Sequence, residues 1–201
     1  MWFLKFVCRI IFKIFVPVTV LNKEYMPESG SCIVAPNHET MMDMFMIGYK
    51  IKRKVFWMAK QDLFKFKPFG WLIKKCGAYP VKRDNHDVAG ANHTLNLLKE
   101  GKPVGIFPQG TRSKGRGLSL TPKTGFLRLA AVTNSVIVPV AIWGKIRIFG
   151  HVYVKFGKPI DPAELLGGKS ESDKEAAQEA ANNYMKMVYS MMEVTDEDHK
   201  G

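Results

Sequence analysis

Short apolar runs alternate along this chain with stretches whose apolar positions recur at helical spacing. Six runs rich in strand-forming residues read as strands: Cys32–Ala35, Val55–Ala59, Ala78–Val81, Val104–Phe107, Val136–Ile142 and Val152–Phe156. Between them the pattern predicts helices at Met41–Ile51, Asp87–Glu100 and Gly125–Thr133. A further helix is marked by the capping-box form Ser172-Asp173-Lys174-Glu175. Ala180, Tyr184, Met187 and Met191 follow it at helical spacing, a stripe that reads as core packing. Strands alternating with helices imply a single α/β domain with a mostly parallel mixed sheet flanked by helices. In such sheets ligands gather at the carboxyl ends of the strands.

The first 22 residues depart from this alternation. Met1 to Leu21 is almost wholly apolar except for Lys5, Arg9 and Lys13, whose four-residue spacing puts them in one stripe of a helix. Trp2, Phe3, Phe6, Ile10, Ile11, Phe12, Ile14 and Phe15 cover the rest. The segment reads as an amphipathic membrane-interface helix over residues 1–22, with packing on the protein's own core as the alternative. It is too short of apolar residues to span a bilayer, since its longest charge-free run is the nine residues Ile14 to Asn22 and a span needs about 20. The longest such run in the chain, Leu129 to Gly144, contains Asn134, Ser135 and Pro139 and reads as a helix end, a turn and a strand. The boundaries expected are therefore an interfacial helix (1–22), the α/β domain (23–195) and a disordered acidic tail (196–201).

Charge sharpens the picture. Of 30 Lys/Arg and 18 Asp/Glu, residues 1–160 hold 26 and 8, while residues 161–201 hold 4 and 10. A basic body attracts polyanions: anionic lipid, phosphorylated substrate or nucleic acid. The segment Phe64-Lys65-Phe66-Lys67-Pro68-Phe69-Gly70-Trp71-Leu72 interleaves aromatics with cations, which suits a membrane interface or single-stranded nucleic acid. Beside the N-terminal segment it favours a bilayer with anionic headgroups as the partner, and no nucleic acid. Three cysteines without C-x-x-C spacing, Cys8, Cys32 and Cys76, indicate reduced thiols in a cytosolic setting. His38, His86, His93, His151 and His199 are scattered without a metal-ligand pattern, so no metal is expected.

Three motifs carry candidate chemistry, each at the end of a predicted strand. Asn37-His38-Glu39-Thr40-Met41-Met42-Asp43 places a carboxylate five positions after a histidine. On a regular helix the two would point about 140° apart. They meet if His38 lies on the loop before a helix and Asp43 in its first turns, with Asn37 capping or turning at the junction. The carboxylate then fixes one imidazole nitrogen and leaves the other free as a general base. Taken alone, the pair reads more readily as a structural histidine near a helix start, with Asp43 at its positive end. Gly77-Ala78-Tyr79-Pro80-Val81-Lys82-Arg83 and Phe107-Pro108-Gln109-Gly110-Thr111-Arg112-Ser113 put arginine beside Gly/Pro turns, where phosphate binds bidentately; the alternative is plain surface charge.

These three motifs, with Ile137-Val138-Pro139-Val140, resemble in order and spacing the four sequence blocks of the glycerolipid acyltransferase family, of lysophosphatidate (1-acyl-sn-glycerol-3-phosphate) acyltransferase type. The resemblance spans residues 32 to 142. It implies an enzyme that moves a fatty acyl group from an acyl thioester, acyl-CoA or acyl carrier protein, to the free hydroxyl of lysophosphatidate, giving phosphatidate. His38 would be the base and Asp43 its orienting partner, with no covalent acyl-enzyme. Arg83 and Arg112 would hold the acceptor's phosphate, with Lys60 beside them and Gln109, Gly110 and Thr111 shaping the turn. Pro139 would lie near the acyl donor. No cofactor is implied beyond the thioester co-substrate. The family's third block carries glutamate where this chain has Gln109, which removes a negative charge beside Arg112. The resemblance also leaves room for glycerol 3-phosphate or another lysolipid as acceptor, and for a non-catalytic anionic-lipid-binding relative. A peripheral or monotopic place on the cytosolic face of the membrane follows from the implied substrate.

Overall fold

The computed structural model of the protein describes residues 15–82 and 87–193. Its centre is a seven-stranded sheet: β1 (Val18–Leu21), β2 (Cys32–Pro36), β3 (Phe56–Lys60), β4 (Ala78–Val81), β5 (Pro103–Gly105), β6 (Val136–Gly144) and β7 (Val152–Phe156). The order across the sheet is β1-β7-β6-β2-β5-β3-β4. Neighbours run parallel except β6 and β7, which are antiparallel. The expected mostly parallel mixed sheet is thus present.

Helices cover both faces because the central strands are apolar on both. On one face Val34, Trp57, Val138 and Val140 pack with Phe45, Met46 and Ile47 of α1 (Asp43–Gly48) and Ile73 of α2 (Lys67–Lys75). On the other, Ile33, Ala35, Val104 and Ile137 pack with α3 (Val88–Lys99), α4 (Gly125–Thr133) and α6 (Lys174–Ser190). Leu166, just after the short α5 (Pro162–Leu165), joins this second core. Tyr184 of α6 is fully buried and donates its hydroxyl to the Ala35 carbonyl at 2.6 Å, fixing the helix against β2.

Several boundaries differ from the sequence reading, for physical reasons. Most of the expected interfacial helix lies outside the described residues, but its end does not: Val18–Leu21 is strand β1, parallel to β7. Pro17 has no amide hydrogen to continue a helix, and Val18, Thr19 and Val20 are β-branched. The sheet therefore begins inside the segment assigned to the N-terminal helix. The helix expected at Met41–Ile51 is confined to Asp43–Gly48. Asn37 does not cap it, because its amide is used elsewhere. The aromatic–cationic segment is a 3-10 turn at Gln61–Phe64 followed by α2, with Pro68 in the first turn where its missing donor costs nothing. Asp173, not Ser172, caps α6 through the amides of Glu175 and Ala176.

Candidate active site

His38 follows β2 at the carboxyl edge of the sheet, and Asp43 opens α1. His38 Nδ1 lies 2.7 Å from Asp43 Oδ2. Asp43 is fully buried and also accepts from the Glu39 amide at 2.8 Å, the Thr40 amide at 3.0 Å and the Thr40 hydroxyl at 2.8 Å. A carboxylate already receiving those donors acts as an acceptor, so Nδ1 carries the hydrogen, and in the neutral ring the lone pair is on Nε2. The loop-then-helix geometry expected from the five-residue spacing is the one observed.

The ring is held from below as well as from the side. It stacks on Phe107 at 3.9 Å between centroids and 24° between planes. Phe107 stacks in turn on Trp57 at 5.2 Å. Trp57 can take that position because its strand neighbour is glycine: a Cβ on Gly105 would lie 2.2 Å from the Trp57 ring. A glycine inside β5 thus sets the height of the histidine, two rings away.

Neighbouring loops lock the corner. Asn37 donates to the Ile142 carbonyl at 2.8 Å and accepts from the Ile142 amide at 2.7 Å, clasping the end of β2 to β6. The same Asn37 amide reaches Glu39 Oε1 at 2.9 Å. Glu39 Oε2 accepts from the Ser113 hydroxyl at 2.5 Å, and the Ser113 amide donates to the His38 carbonyl at 2.6 Å. The loop after β2 and the loop after β5 are therefore one hydrogen-bonded unit. Glu39, Ser113, Phe107 and Trp57 had no role assigned from sequence. Glu39 carries the one visible signal, a second charge beside the candidate base in a motif that needs only that of Asp43.

A cavity of about 670 Å³ opens beside His38. Its walls come from both layers, with Met44, Leu63, Phe69 and Ile73 on one side and Leu95, Phe126, Leu129 and Val132 on the other. Lys60, Lys82, Lys123 and Arg128 add cations to a mostly apolar lining that also holds Asp87, Asn92 and Thr40. Such a space suits a molecule with a long apolar part and an anionic part.

The other sequence-selected residues fall in different places. Lys60 lines the cavity and pairs with Asp62, which Lys65 also reaches at 2.7 Å. Hydrogen bonds from Lys60 and then Lys65 hold the Asp62 carboxyl down at about 2. Gly110 lines the cavity with φ +65° and donates to the Phe107 carbonyl at 2.9 Å, closing the turn that glycine allows. Thr111 is half-buried and Arg112 exposed; neither borders the cavity. Arg83 lies outside the described residues. Pro139 is buried within β6, opposite Ala35, away from the cavity lining.

Gln109 turns from the cavity toward α6. Its Nε2 donates to the Gly117 carbonyl at 2.9 Å, and its amide meets the Tyr189 hydroxyl at 3.4 Å. Burial raises the pKa of the Tyr189 phenol, with the Gln109 hydrogen bond opposing and the charge of Glu39 adding. The glutamine thus bridges the third block to the last helix. It is no part of the cavity wall.

Comparison with known proteins agrees with this arrangement. The acyltransferase family model matches residues 17–143. A 1-acyl-sn-glycerol-3-phosphate acyltransferase of Bacillus subtilis is 32% identical over 175 residues, covering 84% of this chain and 86% of its own. One from Streptococcus pneumoniae is 30% identical over 77% of this chain and 59% of its own. The crystal structure of the 1-acyl-sn-glycerophosphate (LPA) acyltransferase PlsC from Thermotoga maritima superposes with a TM-score of 0.72 at 26% identity, over 97% of this chain and 81% of that one.

Proposed function

The chain belongs to the acyltransferase family, and we propose that it transfers a fatty acyl group from an acyl thioester to the free hydroxyl of lysophosphatidate, forming phosphatidate. The observation that carries this reading is the His38–Asp43 pair standing over an apolar cavity with cations in its wall. The curated relatives named for this reaction support the choice of acceptor.

In the proposed mechanism His38 Nε2 takes the proton of the acceptor hydroxyl. That oxygen attacks the thioester carbonyl, the C–S bond breaks, and the imidazolium returns the proton to the departing thiolate. Asp43 holds the ring and stabilises its charge during the exchange. A thiolate leaves readily, so no acyl-enzyme is needed. General-base assistance contributes about 10²- to 10⁴-fold, and positioning of two substrates in one cavity contributes more. Lys60, on the cavity wall, is proposed for the acceptor's phosphate; the family pattern adds Arg83 and Arg112, the latter exposed and outside the cavity lining. The donor is acyl-CoA or acyl carrier protein, and no other cofactor is required. No helix among the described residues is long and apolar enough to cross a membrane. We place the enzyme on the cytosolic membrane surface, where a lipid acceptor resides.

Gln109 bears on the non-catalytic alternative. Because it faces α6, its departure from glutamate removes no group from the cavity wall, which favours the catalytic reading. The experiment is transfer of labelled acyl groups to lysophosphatidate, glycerol 3-phosphate and other lysolipids, by the parent and by His38→Ala. Loss of transfer to lysophosphatidate in the variant is expected; undiminished turnover without His38 overturns the mechanism.

A further inference from the structure

The connection between β6 and β7 is a tight turn. Lys145-Ile146-Arg147-Ile148-Phe149-Gly150 folds back so tightly that a Cβ on Gly150 would lie 2.0 Å from the Lys145 carbonyl oxygen. Ile146 turns inward against the core. Ile148 and Phe149 turn outward and are 66% and 79% exposed. Phe149 has φ +60°, a left-handed conformation that glycine or asparagine would adopt at lower cost. Its amide donates to the Phe15 carbonyl at 2.7 Å, and Phe15 is itself 47% exposed. A large aromatic is thus held in a strained backbone state with its ring in solvent. In water both features are unfavourable, and strain of this kind collects at functional positions.

The topology places this tip. β6 is parallel to β2, so both end at the same edge of the sheet, and β7 leaves from that edge in reverse. His38 follows β2 there. Ile148 and Phe149 therefore project from the edge that carries the base. Lys145 and Arg147 precede them, both exposed, so the tip pairs apolar side chains with cations. At its root Trp143 and Tyr153 are half-buried and stack at 5.2 Å. Wedge residues outermost, cations beside them and stacked aromatics one layer back match the layers of a bilayer surface: acyl chains, anionic headgroups and the interfacial belt. Two apolar side chains are too small a surface for a stable protein interface, which buries about 1,000 Å² or more.

We infer that the β6–β7 tip is a membrane-inserting wedge, with Ile148 and Phe149 entering the acyl region of an anionic bilayer beside the catalytic edge and Lys145 and Arg147 on its headgroups. It rests on the proposed lipid acceptor only for the choice of a bilayer as partner.

The test uses the full chain with the double substitution Ile148→Ser/Phe149→Ser, and separately Lys145→Ser/Arg147→Ser. Flotation with phosphatidylglycerol-containing vesicles measures binding. Turnover is measured on a short-chain lysophosphatidate dissolved as monomer and on a long-chain one in vesicles. The apolar pair is expected to weaken vesicle binding roughly tenfold or more, to cut turnover in vesicles and to leave turnover on the monomeric acceptor unchanged. The cation pair is expected to weaken binding to anionic vesicles only, an effect abolished by high salt. Unchanged vesicle binding by the apolar pair overturns the wedge. So does a change in self-association with vesicle binding intact, which would make the tip a contact between copies. If no acceptor is turned over by the parent while the tip still governs vesicle binding, the proposed reaction fails and the wedge stands.

Discussion

Asp43 is fully buried and accepts from His38, Glu39 and Thr40, whereas Lys60, on the same cavity, is 48% exposed and pairs with an Asp62 that is 45% exposed. One region is a corner in which side-chain and backbone groups are paired inside the protein. The other is a rim of long cationic side chains in water. The buried corner fixes an orientation, since breaking a buried hydrogen bond costs about 1–3 kcal/mol. Exposed pairs are worth little and reorganise easily. The proposed role of His38, a base that must meet one proton, calls for the first construction. The proposed role of Lys60, meeting a headgroup that arrives on a mobile lipid, is served by the second.

The comparison breaks most directly at Asp43. Asp43→Asn removes the negative charge beside the imidazole and one of the two acceptor oxygens shared by His38, Glu39 and Thr40, and is expected to lower turnover about 10²- to 10⁴-fold, with substrate binding little changed, as acyl-transfer kinetics would show. Gly105→Ala attacks the same ring from beneath. Its Cβ would fall 2.2 Å from Trp57, so a loss of about 1–3 kcal/mol in denaturant unfolding is expected from overpacking, together with reduced turnover as Phe107 and His38 shift.

A third test separates pairing from burial. Burial pushes the Cys32 thiol up from 9.0 to about 11, against a smaller lowering by Arg53. The unfolded chain ionises first as pH rises. The stability tied to this group is therefore complete below pH 9 and is lost as pH climbs to about 11, up to about 2–3 kcal/mol. Cys32→Ala is expected to flatten that part of the alkaline stability curve; an unchanged slope refutes the assignment. Next in size, Gln109→Glu replaces the donor to the Gly117 carbonyl with an acceptor in a position only 5% exposed. A loss of about 1–3 kcal/mol is expected in thermal or denaturant unfolding. Smallest in stability is Lys60→Ala: the melting temperature scarcely moves, while KM for the phosphorylated acceptor rises several-fold and kcat changes less. A fall in kcat alone would place Lys60 in the corner's class instead of the rim's.

Much of the corner was legible because local chemistry dictates it. A histidine five residues before an aspartate must leave the helix for the two to meet, and the central strands announce themselves by continuous apolar runs. What stayed hidden depends on residues distant in sequence. Gly105 looks like a weak strand residue until Trp57 is seen lying across it. Asn37 reads as a helix cap until Ile142 is brought beside it. Gln109 reads as a lost charge at the acceptor site until Tyr189 and Gly117 show where its amide goes. Strand β1 was hidden differently: the apolar residues ahead of Pro17 share the hydrophobicity of a helix, and hydrophobicity alone does not tell the two apart.

The clasp of Asn37 on Ile142 spans 105 residues. During synthesis His38 emerges long before its clasp can close, and parallel pairing of β2 with β6 requires the intervening chain to be present. A nascent chain stalled short of Ile142 is therefore expected to be inert toward acyl thioesters, however much of the histidine loop is exposed. The order of synthesis is thereby expected to delay the proposed activity until the sheet is assembled.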